Sequence, residues 1–218
     1  MTEHQVKSVL LNSLHFKQDS IFKLEAFCRE VIQFNLKFNL IAKSTVEEIW
    51  DRHILDSAQL VKFINFKDGF SLSDLGTGAG FPGIVIAIFN RNPNFHVKLY
   101  DKSRVKTKFL IAICEKLQIQ AEILENDYRA HDISSNYVVS RAFKKLEEHM
   151  RISREIIKVS HKLIILKGKS AGEEIKKLNK KLNYSYSLEK SITNLDSKIL
   201  IVDIKKLDEK DNFSNKPK

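Results

Sequence analysis

The sequence predicts an α/β fold: a mostly parallel sheet with helices on both faces, preceded by a helical extension. Three observations carry this. Residues 1–63 place apolar side chains at helical spacing and contain neither Gly nor Pro. From residue 70 onward, short apolar runs alternate with stretches of helical period, the pattern of βα units joined into a parallel sheet. Four of the chain's seven glycines and one of its three prolines crowd into residues 76–83, between a strand pattern and a helix pattern.

Each element has its own signal. Over 21–38, apolar residues recur every three or four positions (Ile21, Leu24, Phe27, Cys28, Val31, Ile32, Leu36), with Asp19 or Ser20 as candidate caps. A second helix is expected from Ser44, with Ser44-x-x-Glu47 or Thr45-x-x-Glu48 as a capping box. Strands follow at 70–75, 95–100, 121–124, 137–139 and 163–166, and helices at 84–89, 102–117, 146–159 and 171–182. Two last strands, 184–188 and 198–204, are joined without a helix, which implies an antiparallel edge. The expected division is a helical extension over 1–68, a sheet domain over 69–207 and a frayed tail over 208–218.

Composition narrows the function. Cys28 and Cys114 are too few for a four-cysteine zinc site or a disulfide scaffold, and each sits in an apolar-periodic stretch as a buried thiol would. No metal is expected. No apolar run reaches about 18 residues, so no membrane span is expected. The N-terminus, MTEHQVKSVLLNSLHFK, lacks the bare positive charge of a secretory signal, and the reading is a cytoplasmic protein. The net charge of +10 is uneven: residues 1–70 hold nine basic and nine acidic side chains, 71–140 eight and seven, 141–218 twenty and eleven. A basic final third favours a phosphate-bearing partner, although a Lys-, Ile- and Asn-rich composition also arises without one.

The glycine window reads DLGTGAGFPG over 74–83. Missing Cβ atoms let a ligand approach the backbone, and Gly permits the positive φ of a tight turn. Pro82 suits the first turn of the next helix. Gly78-x-Gly80-x-x-Gly83 matches a dinucleotide fingerprint. Gly76-x-Gly78-x-Gly80 after Asp74 matches a loop that binds S-adenosylmethionine. Both expect an acid at the end of the second strand, where Asp101 stands, and the loop alone does not choose between them. The helix-less strand pair at the end favours the methyl donor, because a dehydrogenase would continue with βα units into a substrate domain.

Several segments together resemble a known family. DLGTGAGFPGI (74–84), RHILDS (52–57), FNL (38–40), SRAF (140–143) and LKG (166–168) occur in the order and spacing of the glucose-inhibited division protein B family, the ribosomal RNA small subunit methyltransferase G group. The resemblance spans roughly residues 20 to 205. It implies a Rossmann-like S-adenosylmethionine-dependent methyltransferase fold with a seven-stranded, mostly parallel sheet and an N-terminal helical extension. It also implies methyl transfer to N7 of a guanine in 16S rRNA, free or in a small-subunit precursor; a monomer without metal is expected. By matching position, cofactor contacts fall at Gly76, Gly78, Gly80 and Phe81, at Ala130 and His131, and at Arg141, which is also the catalytic candidate; Asp101 would hold ribose by the general logic of the fold. The sequence departs from the family's usual R-x-E in reading Arg129-Ala130-His131-Asp132.

The chemistry fits the absence of a catalytic constellation. Guanine N7 carries an in-plane lone pair and needs no general base, so positioning and desolvation suffice. A cytosine-C5 enzyme would need a nucleophilic cysteine in a strand-end loop. Asn92-Pro93-Asn94-Phe95 lies before the second strand and lacks the second proline of an exocyclic-amine enzyme. Alternatives are a methyltransferase for another RNA, a protein or a small molecule, or a non-catalytic RNA-binding module. Phe143 is a candidate to stack on the target base, or a core residue. His53 and Asp56 share a helix face, most simply as a packing pair. Lys167 ends a strand on the ligand side. Lys102, Arg104, Lys106 and Lys108 cannot all share one helix face, whereas Lys176, Lys177, Lys180 and Lys181 cluster and suit phosphate.

Overall fold

The computed structural model describes residues 1–141, 145–182 and 185–206, with 179–182 described by backbone alone. Phe143, Tyr184, the tail from residue 208 and the side chains of Lys180 and Lys181 lie outside the described residues.

Helix α1 (Glu3–Asn12) starts at a capping box: Thr2 Oγ1 accepts from the Gln5 N–H (3.3 Å) and Gln5 Oε1 accepts from the Thr2 N–H (2.9 Å). Helix α2 spans Gln18–Asn35 rather than 21–38. Asp19 and Ser20 lie inside its first turn, and Ser20 instead donates to the Ile88 carbonyl. The helix stops at Asn35 because the Asn35 side chain takes the backbone N–H groups of Leu40 (2.7 Å) and Ile41 (3.0 Å), turning the chain back. The capping box expected at Ser44 or Thr45 does not form. Lys43–Thr45 is a single 3-10 turn, and the Thr45 hydroxyl is used by the Ala42 carbonyl (2.8 Å). Helical structure resumes over residues 50–63, changing pitch from π (Trp50–Leu55) through one α turn, α3 (Asp56–Ala58), to 3-10 (Gln59–Phe63).

The sheet has seven strands: β1 (Ser71–Leu75), β2 (His96–Asp101), β3 (Glu122–Glu125), β4 (Tyr137–Arg141), β5 (His161–Lys167), β6 (Tyr186–Lys190) and β7 (Lys198–Ile204). Their order is β3-β2-β1-β4-β5-β7-β6, with β7 antiparallel to both neighbours and all other pairs parallel. The antiparallel strand is therefore one place inside the edge. Burial explains the choice: Ile199, Leu200, Ile201 and Val202 are all buried and need cover on both faces, whereas no residue of β6 is fully buried.

Period-two alternation feeds two cores. Ile164, Leu166, Ile199 and Ile201 point into one cluster with α1, α2, residues 49–64, α4 (Gly83–Phe89) and α5 (Arg104–Leu117). Leu163, Ile165, Leu200 and Val202 point into the other with α6 (Leu146–Glu155) and α7 (Ala171–Leu182). Helices after β1 and β2 cover one face and those after β4 and β5 the other, so the chain changes direction between β1 and β4. Ligands bind at such a switch point, outside the carboxyl ends of the strands. Helix α6 ends at Glu155, short of the expected 159, because Ile157 turns into the core and the Lys158 N–H goes to the Ile133 carbonyl. Cys28 and Cys114 are buried free thiols; burial raises both pKa values, that of Cys114 to about 11.

Phe27 in α2 is fully buried and packs on Phe81 of the glycine window (centroids 5.2 Å apart), tying the N-terminal helices to the loop. Phe27→Ala is expected to lower unfolding free energy by about 3–5 kcal/mol, read as a shift of the urea midpoint; a loss under about 1 kcal/mol would contradict this packing role.

Candidate cofactor and target site

The site starts from one buried carboxylate. Asp74, near the end of β1, is fully buried, and its Oδ2 accepts from the Thr77 hydroxyl (2.6 Å) and the Gly83 N–H (2.8 Å). One oxygen thus spans the window from its start to the first residue of α4. Burial pushes the Asp74 carboxyl up to about 7, against the hydrogen bonds from Thr77 and Gly83. A Cβ on Gly83 would lie 2.7 Å from that oxygen, so the contact requires glycine.

The loop itself is held by β2. Gly76 and Thr77 donate their N–H groups to the Tyr100 carbonyl (2.9 and 3.1 Å), and Gly78 donates to Asp101 Oδ2 (2.9 Å). Asp101 Oδ1 accepts from Ser103 (2.8 Å). Gly80 has φ +98°, and a Cβ there would meet Ile84 Cγ1 at 2.6 Å and Leu110 Cδ2 at 2.9 Å. Gly78 is the opposite case: at φ +61°, its missing Cβ faces open space, with Gly76 O nearest at 3.9 Å. That leaves room for a ligand against the backbone.

The remaining sequence-selected residues gather around this loop to different degrees. Phe81 is buried, packed between Phe27 and the His53 ring (5.0 Å), so its side chain belongs to the core. Ala130 is exposed in a 3-10 turn (Tyr128–Ala130) whose Arg129 is ion-paired to Asp127 (2.8 Å). His131 bonds the Glu125 carbonyl through Nε2 (2.9 Å) and sets its ring edge-on to Tyr100, beside Asp101. Lys167 is not a free cation: its ammonium pairs with Glu174 (2.6 Å). Lys102, Arg104 and Lys108 are exposed and Lys106 is half-buried; Lys176 and Lys177 are exposed on α7.

Arg141, at the end of β4, is the most constrained. Its guanidinium donates to the Arg52 carbonyl (2.9 Å) and to His53 Nδ1 (2.6 Å), lies 3.9 Å from Asp56 Oδ2, and sits over the Phe81 ring at 5.3 Å. His53 and Asp56 are therefore not a packing pair with each other; both face Arg141. His53 Nε2 meets Thr45 Oγ1 at 2.8 Å, and since that hydroxyl donates to Ala42, the imidazole carries its proton on Nε2. Burial, with Arg141 and Arg52 adding charge, lowers the His53 pKa to about 3. Asp56 is anchored on its other side: Oδ1 accepts from Gln59 Nε2 (3.0 Å) and from the Thr193 hydroxyl (3.0 Å) in the β6–β7 connection. Beyond Arg141 opens a cleft of about 280 Å³ lined by Asp56, Arg141, His149, Lys167, Gly168 and Ser170. On its wall the Ser140 hydroxyl bonds His149 Nε2 (2.7 Å), and burial lowers the His149 pKa to about 4.

Sequence reasoning missed Thr77, Thr45, Gln59 and Thr193. Thr77 lies inside the glycine window and Thr45 in the expected capping box, whereas Gln59 and Thr193 carried no local signal. Among the described residues, no group of three or more His, Cys, Asp or Glu could hold a metal ion, and no helix is long and apolar enough to cross a membrane.

A glycine turn after the first strand, an acid ending the second, and an inserted antiparallel β7 define an S-adenosylmethionine-dependent methyltransferase fold. A solved S-adenosylmethionine-dependent methyltransferase from Aquifex aeolicus shares it, with a TM-score of 0.54 at 13% identity over 81% of this chain and 97% of that one. A family model described as rRNA small subunit methyltransferase G matches residues 20–202. Ribosomal RNA small subunit methyltransferase G of Pelagibacter ubique is 30% identical over 206 residues (92% of this chain, 95% of the relative), and that of Rickettsia bellii is 35% identical over 188 residues (86% and 95%). The chain belongs to the rRNA small subunit methyltransferase G family and is an rRNA methyltransferase.

His53 gives the fold a pH signature. As pH falls through the ordinary histidine value of 6.5, the unfolded chain binds a proton there and the folded protein does not until about 3. Its contribution therefore falls with acidification across that window, while Asp74, raised to about 7, acts in the opposite sense. The stability of wild type relative to His53→Asn is expected to rise from pH 4 to 6.5 and then level off, by denaturant melts; a pH-independent difference would contradict the neutral ring.

Proposed function

We propose that the chain transfers a methyl group from S-adenosylmethionine to N7 of a guanine in 16S rRNA, free or within a small-subunit precursor, acting as a cytoplasmic monomer. The family match supports the rRNA substrate, and the open glycine loop braced on Asp101 supports the cofactor. The residues present fit that cofactor. Gly76, Gly78 and Gly80 offer backbone free of side chains, and Phe81 contributes backbone while its ring supports Arg141. Asp101 uses one lone pair on each oxygen for Gly78 and Ser103, which leaves lone pairs to accept ribose hydroxyls. Ala130 and His131, in the loop after β3 with the His131 ring next to that of Tyr100, would add further cofactor contacts by the family's pattern.

When bound, the cofactor supplies a methyl group already activated on a positive sulfonium. What remains for the protein is orientation and exclusion of water. Attack by the N7 lone pair would leave the carbon–sulfur electron pair on sulfur and move no proton, so the site would need no base and only residues that orient the two partners. Arg141 is the catalytic residue of this reading. Held by Arg52, His53 and Phe81, it ends β4 at the switch point of the sheet, where target and cofactor would meet.

The test is methyl transfer from labelled cofactor to small-subunit RNA, with nucleoside analysis identifying 7-methylguanosine; label in another nucleoside, or none, would overturn the proposal. Gly78→Asp supplies the control. Its Cβ has room and Asp tolerates positive φ, so the variant is expected to fold yet lose S-adenosylhomocysteine binding by calorimetry. Unchanged affinity would count against the loop.

A further inference from the structure

Asp56 stands beside Arg141 in the cleft, and the chemistry described so far does not use it. We propose that Asp56 is a specificity-determining residue that, with Arg141, reads the O6/N1/N2 edge of the target guanine. The inference rests on the guanine-N7 activity above and adds which side chain selects the base.

The geometry supplies a matched set. Guanine presents, in order around the ring, N7, the O6 acceptor, the N1–H donor and the N2 amine donor; adenine presents a donor and an acceptor where guanine has O6 and N1–H. Extruded bases are read by hydrogen bonds to this edge. Arg141 is donor-only and Asp56, when ionised, acceptor-only. Their nearest atoms are 3.9 Å apart, so they stand side by side without closing on each other. A donor followed by an acceptor complements O6 followed by N1–H and N2–H, and opposes adenine at both positions.

Position along the sheet agrees. Asp101 ends β2, the glycine loop follows β1, Arg141 ends β4, and Asp56 is pinned by Thr193 next to β6 and β7. Asp56 thus lies between Arg141 on one side and the β6–β7 connection on the other. Around the base, the order is N7, O6, N1 and N2. In the proposed pose, a guanine with N7 toward the cofactor offers O6 to Arg141 and N1 and N2 to Asp56.

The anchoring of Asp56 also suits the role. Oδ1 is occupied by Gln59 and Thr193, while the contact to Oδ2 is Arg141 at 3.9 Å. One oxygen fixes the side chain, and the residue lines the cleft beside Arg141. Methylation at N7 leaves the base positively charged, so a carboxylate on its far edge is favoured more as the bond forms than before, which favours the transition state.

The test compares small-subunit RNA carrying guanosine or inosine at the mapped methylation position. Inosine keeps N7, O6 and N1–H but lacks the N2 amine, so nucleophile chemistry is retained. Binding without cofactor and methyl transfer with it are both measured. Wild type is expected to favour guanosine about ten-fold in each. Asp56→Asn keeps an oxygen for Gln59 and Thr193 but turns a donor toward the base; its guanosine/inosine ratio is expected to fall to about one, with S-adenosylhomocysteine affinity within about two-fold of wild type. A residue acting only through Arg141 would lower both RNAs together and leave the ratio intact, which would overturn the proposal. Equal use of both RNAs by wild type would overturn it without any variant, even if Asp56→Asn folds poorly. Methylation of neither RNA by wild type would instead sink the guanine-N7 activity, and this proposal with it.

Discussion

The site depends on a carboxylate that touches no solvent. Asp74 Oδ2 collects the Thr77 hydroxyl and the Gly83 N–H, closing the glycine window like a staple across its two ends. Every later placement inherits from this closure. It sets the first turn of α4, presents Gly78 to Asp101, and turns Phe81 inward, where its ring supports Arg141. Burying a carboxylate is costly, and the raised Asp74 pKa is the visible sign of that cost. Fixed loop geometry offsets it.

A second joint connects parts of the chain that are remote in sequence. Arg141 ends β4 yet takes its partners from residues 52–56, and Asp56 in turn reaches Thr193 in the β6–β7 connection. The helical extension is thus one wall of the site. Its core is continuous with that of β1, β2, α4 and α5, so the site's floor and its wall share packing as well as polar contacts.

What could be read from the sequence was short-range. The window 74–83 lies between a strand and a helix, Asp101 follows 25 residues after Gly76, and period-two alternation marked the strands. These features express local backbone preference and burial. The partner of Thr45 was not legible, because its hydroxyl serves a histidine eight residues on instead of capping a helix. The Asp56–Thr193 contact spans 137 positions, and no periodicity encodes such a pairing. The place of β7 was half legible: its antiparallel sense followed from the missing helix, but its insertion between β5 and β6 depends on which strand most needs cover.

That insertion also orders events during synthesis. When β6 emerges from the ribosome, it has no neighbour in the sheet to join, and the outer edge of β5 stays unpaired until residues 198–204 arrive. The same stretch brings the β6–β7 connection, and with it Thr193, onto Asp56. Until then, the contact that anchors the Asp56 carboxylate from the β6–β7 connection has no donor. The wall of the cleft that carries Asp56 is therefore closed by the last strand of the chain to be made.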